Sequence, residues 1–280
     1  MVPSSSGTSR SWASEVDVGD AVHGSGSRAE APGAAAAATA PASAADADFF
    51  SVLREPVRFL LIRHGQSEGN ARKIMQGSLD LKLDEKGRFQ AARLGEWLSG
   101  RELREIVTSP LARASETARI IARACGLGEP RSYPFLRELE TGVFTGLSMD
   151  EARVRHPEAY AAFEGASWDA VPGAEHSSEL YRRAMLSWGL LRELALAGGG
   201  TIACVSHGGL IQWLVRATFG CRSWMPLFRT SNCGVFELNV EPAGPPDRAG
   251  ATGRAGYPAY LQWERIDYRP DGIEGIAPVF

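Results

Sequence analysis

An α/β sandwich built around a mostly parallel sheet, with helices layered on both faces (α/β/α), is predicted by three observations. Short, β-branched, nearly all-apolar runs alternate along the chain with amphipathic stretches of helical length. The short runs lack the apolar–polar alternation of a half-solvated strand, which is how strands covered on both faces read. Capping residues and glycines punctuate the segments between them.

Residues 1–52 stand outside this pattern. They are dominated by Ser, Gly, Ala and Pro, with few large side chains. Such a segment buries too little surface to offset the roughly 1–2 kcal/mol that ordering each residue costs. A disordered low-complexity tail is expected there, followed by one catalytic-sized domain over 53–280. The tail lacks the basic start and leucine-rich centre of a secretory leader, and acids interrupt its Ala tract.

Four strands are expected at "VRFLLI" (57–62), "EIVTS" (105–109), "TIACVS" (201–206) and "GVFELNV" (234–240). "DEKGRFQAARLGEWLSG" reads as a helix capped by Asp84 and ended by Gly100, with Phe89, Leu94, Trp97 and Leu98 on its apolar face. The next helix has Ser109 as its cap, Pro110 at its first position and Gly126 past its end. "SMDEARVRHPEAYAAFE" opens on a capping box, Ser148 with Glu151. The longest helix begins in "SELYRRAMLSWGLLRELAL" and lines up Leu180, Ala184, Trp188, Leu191 and Leu194. Residues 241–258 read as a flexible insertion, and 259–268 as an edge strand pairing with "GVFELNV".

The formal net charge of −3 gives no reason to expect a nucleic-acid or anionic-membrane partner, so any basic site must be local. The four cysteines form no CxxC pair and no zinc-ligand spacing. Three sit in or beside apolar runs, which fits reduced thiols and a cytoplasmic location. No apolar stretch is long enough to span a bilayer, and no carboxylate cluster suggests a metal.

Ligands of open α/β sheets bind beyond the carboxyl ends of the strands. Arg63 and His64 follow the first strand there, Arg113 projects from the helix after the second, and His207 follows "TIACVS". Gly65, Gly208 and Gly209 permit close approach of a ligand. Four cationic-capable groups at corresponding strand ends point to an anion. Paired guanidiniums suit a phosphate, since they bind its oxygens bidentately where a lysine acts as a point charge. Each charge pair at 4 Å is worth about 4 kcal/mol at an effective dielectric of 20.

"LIRHGQSEGN", "TSPLARASETA", "LRELETGVFTG" and "VSHGG", in that order, resemble the histidine phosphatase superfamily, the phosphoglycerate-mutase-like enzymes. The resemblance spans about 57–240 and implies the phosphoglycerate-mutase-like fold. It implies His64 as nucleophile and Arg63, Arg113 and His207 as the phosphate pocket. Asn70 would be an amide contact to the phosphoryl group and Glu138 the proton donor. Glu140 lies in the wrong register for that acid. Ser67, Gln76 and Gly77 fall at phosphate-loop and substrate-loop positions. A phosphomonoester hydrolase acting on a small-molecule substrate without a cofactor is the leading expectation. Against a bisphosphoglycerate-dependent mutase stand the missing Arg-His-Tyr run after the acid, the short path to "PGAEHSSELYRRA", and Gly209 where mutases usually carry Asn. A phospho-ligand-binding module without turnover is the third reading, against which the complete catalytic set argues.

Local readings complete the survey. Glu175 and Arg183 are expected as a structural ion pair, His156 at the surface, and His176 as a helix cap or pocket rim. "FEGASWDAVPGAE" is expected to cover the leaving group, with Phe144, Phe163 and Trp168 as either its apolar wall or ordinary core.

Overall fold

The computed structural model describes residue 44 and residues 48–224, 228–242, 259–270 and 272–273. The sheet holds six strands: β1 (Val57–Arg63), β2 (Leu103–Thr108), β3 (Arg131–Ser132), β4 (Gly200–Ser206), β5 (Val235–Pro242) and β6 (Ala259–Tyr268). Their spatial order is β3-β2-β4-β1-β5-β6, with β3, β2, β4 and β1 parallel and β5 and β6 antiparallel. Seven α-helices occur among the described residues: α1 (Glu68–Ala71), α2 (Glu85–Ser99), α3 (Ala112–Ala124), α4 (Met149–Arg155), α5 (Pro157–Ala166), α6 (Ser177–Leu196) and α7 (Gly208–Ala217).

The strands are apolar throughout because successive side chains enter two different cores. Leu60 and Ile62 of β1, with Ala203 and Val205 of β4, pack against Leu94 and Leu98 of α2 and Ala118 and Ile121 of α3. Phe59 and Leu61, with Ile202 and Cys204, face Trp188 and Leu191 of α6 and Trp213 and Leu214 of α7. A period of two between two greasy layers gives a continuous hydrophobic run. This is the expected three-layer sandwich. The expected edge strand is β6, paired antiparallel with β5, and residues 243–258 of the insertion lie outside the described residues.

Several local expectations are corrected. The tail boundary at 53 falls too late, because Phe49 and Phe50 are 3% and 1% exposed. Phe50 meets Trp188 edge-on, with ring centroids 5.8 Å apart. An aromatic pair contributes burial that Ser- and Ala-rich composition obscures. The rest of the tail, residues 1–43 and 45–47, lies outside the described residues. Phe89 is 58% exposed and is not part of the face that α2 buries. Helix α3 starts two residues later than expected: Leu111, not Ser109, occupies its N-cap, without a side-chain bond. The capping boxes at Ser148–Glu151 and Ser67–Asn70 both form. No helix among the described residues is long and apolar enough to cross a membrane.

Candidate active site

Register alone brings the two site histidines together. In the parallel β1–β4 pair, Arg63 is opposite Ser206. The next residues, His64 and His207, therefore leave the sheet side by side, and their ring centroids lie 5.1 Å apart. His64 N–H donates to the Ser206 carbonyl at 3.0 Å, which fixes the exit of the chain. Gly65 then passes so close to the start of α2 that a Cβ on it would sit 2.5 Å from the Gly87 carbonyl oxygen. Only glycine allows that turn.

Arg63, His64, Asn70, Gln76, Gly77, Arg113 and Glu138 line one small enclosed hollow, with Ile74 and Met75 as its apolar side. Six of the expected site residues are thus gathered around one space with Glu138, and His207 adjoins it through His64. Arg113 is held from behind, its Nη1 donating to Leu79 O at 2.6 Å and its Nη2 to Gly77 O at 3.0 Å. Arg63 Nη1 donates to the carbonyl of Thr230. The Nε atoms of both arginines and Nδ1 of His207 are buried with no protein partner. Buried donors without acceptors are rare and costly in a finished protein, and two guanidinium N–H groups left so at one site suit an anionic acceptor.

Hydrogen bonding settles the tautomer of His64. Its Nδ1 lies 2.6 Å from the carbonyl oxygen of Gly65. That oxygen can only accept, so Nδ1 carries the proton and Nε2 keeps its lone pair. Burial, then the charges of Arg113 and Arg63, hold the ring well below the ordinary imidazole range. His207 is depressed by the same causes, burial first. Its Nε2 meets Ser109 Oγ at 2.8 Å, and the same oxygen accepts from Leu111 N–H at 3.3 Å. Ser109 is therefore an orienting partner of His207 and not the helix cap the sequence suggested. Burial lowers Arg113 to about 10, so it remains a cation at neutral pH.

Glu138 reaches the hollow from the segment between the 3₁₀ turn Pro134–Leu136 and α4. Its Oε1 accepts from Leu139 N–H at 2.9 Å and Leu210 N–H at 3.3 Å, and its Oε2 from Gly209 N–H at 3.3 Å. The amino end of α7 thus binds this carboxylate with its first free N–H groups. Glu140 is turned away, 3.8 Å from Arg137, and does not border the hollow. Arg183 grips Glu175 through two contacts of 2.8 and 2.6 Å and donates to the carbonyls of Phe135 and Arg137. This structural ion pair braces the strand of chain that carries Glu138.

Ser67 does not face the hollow. It is fully buried, and its hydroxyl joins Asn70 Oδ1 at 3.0 Å and Gln76 Oε1 at 2.9 Å. The same Asn70 oxygen accepts from Ser67 N–H and from Asn232 Nδ2, both at 3.1 Å. With Oδ1 so occupied, Asn70 turns its Nδ2 donors to the hollow. Ser67 and Asn232 act through Asn70 as positioning residues, and Asn232 also ties the His64 carbonyl at 3.1 Å. Thr117, which accepts from Gly65 N–H at 3.1 Å, supports the loop from α3. Asn232, Thr230, Thr117 and the orienting role of Ser109 were not anticipated from sequence. The polar run "RTSNCG" directly before an apolar strand was the available signal for the first two.

Beside the hollow lies a larger cavity of about 630 Å³, bordered by Leu139, Phe163, Trp168, Trp224, Gly208 and Gly209 among others. Phe163 and Trp168 form wall, whereas Phe144, fully buried behind them, is core. His176 caps α6, its Nδ1 accepting from Ser178 N–H at 3.3 Å. His156 sits partly buried at the break between α4 and α5, 6.3 Å from the Phe144 ring.

Register, convergent arginines and the bonded histidine assemble a cationic hollow at the carboxyl end of the parallel strands of an α/β sandwich. The chain belongs to the histidine phosphatase superfamily (branch 1), which it matches over residues 59–246. It is 38% identical over 183 residues to phosphoglycerate mutase-like protein 4 of Arabidopsis thaliana, covering 64% of this chain and 78% of that protein. It is 31% identical to the probable phosphoglycerate mutase GpmB of Salmonella typhi, covering 65% and 84%. Its fold matches a mycobacterial glucosyl-3-phosphoglycerate phosphatase complexed with VO3, with a TM-score of 0.61 and 29% identity over 75% of this chain and 99% of that one.

Proposed function

We propose that the protein hydrolyses phosphomonoesters through a phosphohistidine intermediate on His64. The observation that carries the reading is the neutral His64 ring with its Nδ1 tied to Gly65, which leaves Nε2 nucleophilic between two guanidiniums. In the first step Nε2 attacks phosphorus while the ester P–O bond breaks. A proton on Glu138, at Oε2 where only one long contact competes, passes to the leaving oxygen. Arg63, Arg113, the Asn70 amide and His207 hold the phosphoryl oxygens, whose charge the guanidiniums balance. In the second step Glu138 takes a proton from water as the oxygen attacks phosphorus, the P–N bond breaks, and His64 is regenerated with release of phosphate.

Transfer to a second hydroxyl, as in a mutase, is the competing outcome for the same intermediate, and the names of two relatives favour it. Two observations favour water. Gly209 packs against the acid so closely that a Cβ there would lie 2.5 Å from Glu138 Oε1, so the Asn usual in mutases would require Glu138 and Leu139 to shift from the positions they hold here. The larger cavity carries one basic side chain, Arg222, against the acids Glu164 and Asp169, a poor seat for a phosphoglycerate carboxylate.

The test is a brief reaction with labelled phosphomonoester and an alkaline quench. An acid-labile phosphoenzyme is expected, and it should disappear in His64→Ala. Labelling undiminished in that variant defeats the assignment. Phosphate release without bisphosphoglycerate separates hydrolase from mutase.

A further inference from the structure

We infer that the physiological substrate is a phosphomonoester whose alcohol carries an aromatic or extended apolar group, which occupies the 630 Å³ cavity beside the phosphate hollow. This rests on the phosphatase reading and specifies its substrate class. The cavity and the hollow lie on either side of two adjacent residues. Leu139 borders the first and the neighbouring Glu138 the second, and both pack on Gly209, where a Cβ would lie 2.2 Å from Leu139 Cδ2. An ester oxygen within reach of Glu138 is thus one residue away from the cavity, and a substituent that passes Leu139 and the bare backbone of Gly208 and Gly209 would enter it.

What that substituent meets is apolar and already assembled. Phe163 and Trp168 pack edge to face with centroids 5.0 Å apart, and Trp224 packs on Trp213 at the same distance. Asp169 is at the margin, but its carboxylate is taken up by Ser177 N–H at 2.7 Å, Ser177 Oγ at 2.6 Å and the Trp224 indole at 3.4 Å. It fastens the tryptophan wall in place. Arg216, a buried residue in the last turn of α7, donates to the Trp224 carbonyl and holds that wall from behind. Gln212 likewise uses its amide on Phe228 N–H and O. Asp169, Arg216 and Gln212 thus brace the wall, and Arg222 and Glu164 are the remaining charged side chains of the lining. A glyceryl or carboxylate-bearing leaving group would leave the apolar part of the cavity lining against water, whereas an aryl or long alkyl group would cover it.

The inference is tested with alkyl phosphates of similar leaving-group basicity: 4-phenylbutyl phosphate, sn-glycerol 3-phosphate and 3-phosphoglycerate. The expected kcat/KM for the phenylbutyl ester exceeds the other two by roughly 10- to 100-fold, the range that burying one ring supplies. Trp168→Ala should narrow that ratio by about 10-fold. If the variant does not fold, competitive inhibition of the wild type by 4-phenylbutanol but not by glycerol supplies the same information. Measurable turnover with equal or reversed preference, or no inhibition by phenylbutanol, overturns the inference and leaves the phosphatase reading standing. Absence of turnover with every ester, and of any phosphoenzyme, overturns the reading beneath it.

Discussion

Adding a single methyl group at Gly209 tests how the acid is held. An Ala Cβ there would stand 2.2 Å from Leu139 Cδ2 and 2.5 Å from Glu138 Oε1, where ordinary contact begins at 3.4 Å. Relief requires about 1 Å of movement, and the backbone of α7 is anchored by the strand that precedes it. The movable partners are the Leu139 side chain, which borders the larger cavity and can shift toward it, and the carboxylate. The 2.5 Å contact is relieved only by displacing the carboxylate, which Leu139 N–H holds at 2.9 Å and the N–H groups of Gly209 and Leu210 hold at 3.3 Å. A 1 Å misplacement of a catalytic group costs on the order of 100-fold. Gly209→Ala should therefore lower kcat/KM for butyl phosphate by roughly 100-fold. For 4-nitrophenyl phosphate, whose leaving group needs little protonation, the loss should stay under about 10-fold. Overpacking should cost about 1–3 kcal/mol, so a melting curve at each step confirms that the variant remains folded at assay temperature. A folded Gly209→Ala enzyme with wild-type activity on butyl phosphate, or with equal losses on both esters, refutes the placement of Glu138 as the proton donor.

Two other outcomes follow from the electrostatics. His64 and His207 are held neutral in the folded chain, while the unfolded chain protonates both below about pH 6.5, so the unfolded state binds more protons there. Stability should accordingly fall as pH drops below that value, and His207→Asn should flatten the slope of Tm against pH between 7.5 and 5.5. Arg183→Ala leaves Glu175 largely buried and unpaired and strips the carbonyls of Phe135 and Arg137 of a donor. It should cost about 3–5 kcal/mol in denaturant titrations, and turnover of alkyl esters should fall with the loosened Glu138 loop.

The sheet, its alternating helices and most of the residues that line the hollow were legible because local rules govern them. An apolar strand ending in Arg63 and His64 reads the same whether or not the fold is known. What escaped notice depends on strand direction. Polar groups stand beyond the carboxyl ends of β1, β2 and β4, where a parallel sheet predicts them. But β5 runs antiparallel to β1, so the segment before it, Thr230–Asn232, adjoins the same end of the sheet. A reading that expects all strands to point one way looks for chemistry after β5 and misses it. Ser67 and Ser109 illustrate a second obstacle. Each reads from sequence as a ligand contact or a cap, yet each hydroxyl is committed to orienting another side chain, Asn70 in one case and His207 in the other. Three-dimensional hydrogen bonding assigns such roles, and spacing alone does not. Phe49 and Phe50 show the reverse error, in which composition averaged over fifty residues concealed two that belong to the core.

The unpartnered Nδ1 of His207 links these points to ligand binding. In the free protein this ring stays neutral because it is buried and faces Arg113, His64 and Arg63. A phosphate dianion in the hollow cancels the field of both guanidiniums and adds negative charge beside the ring. Each of these changes favours the imidazolium, whose Nδ1–H would then have an acceptor while Nε2–H donates to Ser109. Binding of phosphate or vanadate near pH 7 should therefore draw a proton from solvent. Calorimetry in two buffers of different ionisation enthalpy measures it directly, with an uptake approaching one proton expected for the wild type and less for His207→Asn. Binding of the anion with no buffer dependence would mean that His207 stays neutral and that the two arginines balance the dianion alone.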